Sequence, residues 1–91
     1  MSVVVRLPTV LRSIAGGVSS VEATGNTIGE VLEDLMRRYP QMQAQVLTGE
    51  GSLQKFVNVY VNDDDVRYLD QLDTKVENGD TVSILPAVAG G

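Results

Sequence analysis

The chain has 91 residues, 43% of them hydrophobic and 21% charged, and seven Lys+Arg against twelve Asp+Glu give a net charge of −5. That is one small domain of ordinary globular composition, which excludes wholesale disorder and leaves no room for a second lobe around a deep cleft. With no cysteine and no histidine, disulfides, thiolate nucleophiles, Cys-ligated metals and the usual near-neutral general base are excluded as well, and an acidic chain disfavours nucleic acid and anionic membrane surfaces. No apolar run approaches the roughly 18 residues that cross a bilayer. Residues 1–10 show no basic leader followed by a long apolar stretch, so the expectation is a cytoplasmic protein.

The opening stretch from Ser2 to Leu7 is rich in β-branched residues, stops at Pro8 and predicts a strand. Pro8 to Gly17 reads as a connection closing on the turn signal Gly16-Gly17. Val18 to Thr24 predicts a second short strand, with Val21 and Ala23 on one face and Ser20 and Glu22 on the other. Thr27 and Glu30 have capping-box spacing, with Asn26 as the other candidate cap. After them Ile28, Val31, Leu32, Leu35, Met36 and Tyr39 fall on one face of a helix. Pro40 ends that helix or restarts it as a short turn through Val46 and Leu47.

A polar loop over 48–52 leads to Phe56–Val61, the strongest strand signal in the chain. Asn62-Asp63-Asp64-Asp65 reads as a tight turn, with Val66-Arg67-Tyr68 as a short return strand. In the crossover from Leu69 to Glu77, Leu72 and Val76 are the expected core anchors. Asn78-Gly79-Asp80 turns the chain into a last strand, Thr81–Leu85, stopped by Pro86. The order β-β-α-β-β-β with one main amphipathic helix predicts an α+β domain of two layers, a mixed sheet packed on that helix, over 1–86. Residues 87–91 are expected to be a flexible tail.

The tail carries the chemical signal. A terminal Gly-Gly arises by chance with odds of about one in 200. Glycines make a thin strip that can enter a narrow channel and present the α-carboxyl of Gly91 inside another protein's active site. Such chemistry needs no catalytic side chain here, which suits a chain without Cys or His. The alternative is an inert, frayed end, and Gly16-Gly17 is the same dipeptide serving only as a turn.

A domain of this order ending in Gly-Gly resembles the β-grasp, ubiquitin-like fold. The close from Gly79 to Gly91 looks like that of the ThiS/MoaD sulfur-carrier family, in which Gly-Asp precedes the last strand and Pro-x-Val-Ala-Gly-Gly ends the MoaD type. Pro8–Arg12, Phe56–Asp63 and Leu85–Gly91 carry the likeness, which extends over essentially the whole chain. It is nearest to the branch serving thiocarboxylate-dependent cysteine biosynthesis.

The resemblance implies a carrier, not an enzyme. A ThiF/MoeB-like activating enzyme would use ATP and Mg²⁺ to adenylate the Gly91 carboxylate. Sulfur would replace AMP to leave a thiocarboxylate. A PLP-dependent cysteine synthase would accept the sulfur, and a metal-dependent peptidase, with zinc, would release cysteine. These cofactors would belong to the partners, with none bound by this chain. Gly90, Ala89, Val88 and Ala87 would thread the partner's channel, while Leu7, Leu85 and Pro86 would form an apolar docking patch unless Leu7 and Leu85 are core. If Val82 and Ile84 face the helix, Ser83 and Leu85 face outward. Molybdopterin, thiazole and thiosugar branches share the ending. A ubiquitin-like modifier conjugated through Gly91 and an interaction module with an inert tail also stay open.

Other features have plainer readings. Asp63-Asp64-Asp65 lacks the Gly and distal Glu of an EF-hand loop and reads as a solvated turn, with a cation site as the alternative. Arg37-Arg38 matches a helix C-terminal dipole, with docking of an acidic partner as the alternative. Tyr39, Tyr60 and Tyr68 read as amphipathic packing residues.

Overall fold

Alternation of β-branched and polar residues decides the first element. In the computed structural model, which describes residues 2–49, 53–54 and 57–86, strand β1 spans Ser2–Arg6, burying Val3 and Val5 and exposing Val4 and Arg6. Strand β2 is Ser20–Thr24 and pairs antiparallel with β1, with Ala23 opposite Val3 and Val21 opposite Val5. Between them the expected plain connection holds a short helix α1, Thr9–Arg12. Pro8 suits its entry, being extended with no N–H to satisfy, and Leu11 is buried. The turn that follows runs through Gly16 and Gly17 at φ +78° and +91°, backbone that glycine adopts without strain.

Helix α2, Ile28–Arg38, starts on the anticipated cap. Thr27 Oγ1 accepts from the Glu30 N–H at 3.2 Å. The Glu30 carboxylate reaches back one residue further than the standard box, accepting from the Asn26 N–H at 2.9 Å. Ile28, Val31, Leu32, Leu35 and Met36 are buried on one face. Pro40 stops the helix, and the chain continues as a 3₁₀ turn, Pro40–Met42, and a short helix α3, Gln43–Val46, which buries Met42 and Val46.

Strand β3 is Val57–Val61; Phe56, expected at its start, lies outside the described residues. The return strand comes earlier than the sequence suggests. Strand β4 is Asp64–Asp65, opposite Val61 and Tyr60, and 66–68 form a 3₁₀ turn. Asn62 at φ +55° completes the reversal in fewer residues. Asp65 Oδ1 then accepts from the Arg67 N–H at 2.9 Å and starts the helical turn that drives Val66 into the core. Tyr68 is left 88% exposed, so it is not a packing residue, whereas Tyr39 and Tyr60 are half-buried. Leu72 is half-buried against the core and Val76 buried.

Strand β5, Thr81–Pro86, lies between β1 and β3. The sheet order is β2-β1-β5-β3-β4, with β1 and β5 parallel and the other pairs antiparallel. Val3, Val5, Val59, Val82 and Ile84 meet the apolar face of α2 to form the core. One face of the sheet is thus covered by helix, and the other carries Val4, Arg6, Ser83 and Leu85.

Candidate functional site at the end of strand β5

Strand β5 delivers the chain to its C-terminal segment, and its alternation is as the sequence suggests. Val82 and Ile84 are buried, Ser83 is half-buried and Leu85 is 45% exposed. Cross-strand register sets the neighbours of Leu85 on the open face. Leu85 lies opposite Asn58 of β3, and Ser83 lies between Arg6 of β1 and Tyr60 of β3. One step further back, Thr81 lies beside Val4. A groove of about 670 Å³ follows this line, with Val4, Leu7, Pro8, Val10, Ile84 and Leu85 as its apolar lining and, among the described residues, Arg6 and Arg12 as its charged ones.

Leu7 lines only the floor of that groove. It is 3% exposed, because the β1 alternation that buries Val3 and Val5 continues through it. Its backbone is fixed on both sides: the Leu7 N–H donates to the Ser19 carbonyl at 2.9 Å, and the Leu7 carbonyl accepts from Arg12 Nε at 3.2 Å. The expectation that Leu7 docks a partner is therefore corrected to a core position beneath the groove. Pro86 is the last described residue and lies opposite Val57. Ala87, Val88, Ala89, Gly90 and Gly91 lie outside the described residues.

Sequence reasoning missed the flanking residues. Val4 and Val10 are 37% and 67% exposed, and Arg6 and Arg12 are exposed beside them. The outward phase of β1 was enough to find Val4 and Arg6, whereas Val10 and Arg12 depended on recognising α1.

Two further polar side chains have structural partners. Asp65 is committed to the turn described above, and among the described residues no group of three or more Asp or Glu could hold a metal ion. Arg38 turns back on its own domain, donating to the Glu22 carbonyl and pairing with Asp34 at 3.3 Å. No described helix is long and apolar enough to cross a membrane.

Comparison with known proteins gives the fold a family. Residues 5–91 match the model of the ThiS family. The chain is 47% identical to the sulfur carrier protein CysO of Mycobacterium tuberculosis (strain H37Rv) over 93 residues, covering 100% of both chains. It is 36% identical to a putative sulfur carrier protein of Archaeoglobus fulgidus over 91 residues, again covering 100% of each. Among solved structures, the BexX/CysO complex of Amycolatopsis orientalis aligns with TM-score 0.89 at 48% identity, covering 98% of this chain and 99% of that one. The mixed five-stranded sheet is the β-grasp of these carriers, and the chain belongs to the ThiS family of sulfur carriers.

Proposed function

We propose that the α-carboxyl of Gly91 is the group that carries sulfur, and that the sulfur goes to cysteine biosynthesis. The carrying observation is the end-to-end match at 47% identity to a sulfur carrier protein, with nothing left over on either chain. A carboxylate is a poor electrophile at neutral pH. Attack of a carboxylate oxygen on the α-phosphorus of ATP, with loss of pyrophosphate, makes an acyl-adenylate whose AMP is a good leaving group. A sulfur nucleophile supplied by the activating system displaces AMP and leaves the thiocarboxylate. The carrier contributes no side chain to these bond changes. Its part is to present the terminus and to be recognised.

Recognition is assigned to Leu85 and Pro86, with the open groove beside them. The last two residues have no side chains, which lets them enter a channel closed to bulkier chain. A short strip contributes little affinity by itself, so an exposed apolar anchor next to its root is what a transient partner needs. The partners are a ThiF/MoeB-like activating enzyme and then a PLP-dependent cysteine synthase. That such a carrier binds another protein is supported by the Amycolatopsis orientalis relative, solved as a BexX/CysO complex. ATP, Mg²⁺, PLP and the zinc of the peptidase that releases cysteine stay with those enzymes, in the cytoplasm.

Intact mass spectrometry tests the reading. After incubation with ATP, Mg²⁺, a sulfide source and a ThiF/MoeB-type activating enzyme, the mass should rise by the difference between one sulfur and one oxygen. Deletion of Gly91 should abolish the rise. Lysine-linked adducts in lysate without any such rise would favour a protein modifier, and the absence of both the rise and the adducts would mean an inert terminus.

A further inference from the structure

The outer strands of an open sheet carry backbone groups that another strand can take up. Strand β2 is such an edge, paired only with β1. In the β1–β2 ladder, Val3, Val5, Val21 and Ala23 exchange their bonds within the pair, so the polar groups of Glu22 and Thr24 point outward. Two of these outward groups are taken by side chains of α2. The Thr24 N–H donates to Asp34 Oδ2 at 3.0 Å, and the Glu22 carbonyl accepts from Arg38 Nη2. Asp34 and Arg38 are themselves paired at 3.3 Å, one helical turn apart, which holds the two caps together.

The opposite side of the sheet repeats the device. Strand β4 covers only Tyr60 and Val61 of β3. Beyond it, Arg67 Nη2 donates to the Val57 carbonyl at 2.7 Å and to the Gln54 carbonyl at 2.8 Å, and Arg67 Nη1 donates to Asn58 Oδ1. Each margin of the sheet is therefore occupied by an arginine bonded to a strand carbonyl.

We propose that the Asp34–Arg38 pair blocks addition of a second copy of this chain to the β2 edge, and so keeps the β2 edge from being a self-association surface. The committed occupant is the β2 strand of another copy, running antiparallel to the first. In the symmetric register Glu22 would face Glu22 of the second copy, and the like charges give a further barrier. A donor–acceptor pair on one helix suits this task, because the two groups it takes are of opposite kind, an N–H that needs an acceptor and a carbonyl that needs a donor.

The test uses the full chain and two variants, D34A/R38A and E22T/D34A/R38A. Both keep the buried face of α2. Sedimentation velocity across a concentration series should give a monomer for the wild type and a concentration-dependent dimer for the triple variant. The double variant should dimerise more weakly, and more strongly as salt screens Glu22. Hydrogen exchange should show the Glu22 amide becoming protected in the dimer. Monomeric variants throughout the series would overturn the proposal. So would a wild type already paired through protected Glu22 and Thr24 amides, or a variant dimer that leaves the Glu22 amide unprotected.

Discussion

Gly25 shows how closely the domain is built at single positions. A Cβ there would stand 2.7 Å from the Val31 nitrogen and 2.8 Å from Glu30 Cβ, against helix backbone that cannot yield. Gly25→Ala is expected to lower stability by about 1–3 kcal/mol, read as a fall in the denaturation midpoint. The two leucines once expected in one docking patch behave oppositely. Leu7→Ala removes a core side chain and should cost about 2–5 kcal/mol in chemical denaturation. Leu85→Asp, at a 45% exposed position, should leave the unfolding midpoint nearly unchanged while raising the carrier's KM in thiocarboxylate formation. An equal loss of stability in Leu85→Asp would remove Leu85 from the docking surface.

Among elements, α2 was the most legible, because its apolar spacing and its cap are both local. Thr27→Ala should cost about 1 kcal/mol, measurable as a shift of the thermal midpoint. The inward and outward phases of β5 were equally plain. Helix α1 and strand β4 were not. A four-residue helix is too short for a periodic pattern, and its only buried residue is Leu11. The sequence 64–68 looks like turn then strand by composition, and the side chain of Asp65 reverses that order by capping a helical turn. Leu7 was left open between docking patch and core for a different reason. The family resemblance points to the surface, whereas the simple alternation Val3, Val5, Leu7 by itself puts the residue inside. Arg67 gave no signal beyond its charge, since its partners are carbonyls and an amide brought together by the fold.

At the scale of the whole molecule, the chain is closed by its two halves. The Val4 N–H donates to the Asp80 carbonyl at 3.0 Å and the Ser2 N–H to Asn78 Oδ1 at 3.1 Å, across more than three-quarters of the sequence. Such long-range closure ties the first strand to the last and makes the sheet incomplete until β5 is in place. A chain ended after Pro86 should therefore unfold at the wild-type temperature by circular dichroism yet take up no sulfur. A chain ended after Asp80 should show no cooperative transition. The central position of β5 also has a mechanical meaning. An enzyme that draws the terminus inward pulls along the axis of a strand held by neighbours on both sides. The load falls on its lateral bonds together, in shear, instead of opening them one by one. The domain can then act as a handle, remaining folded while tension is applied at its end.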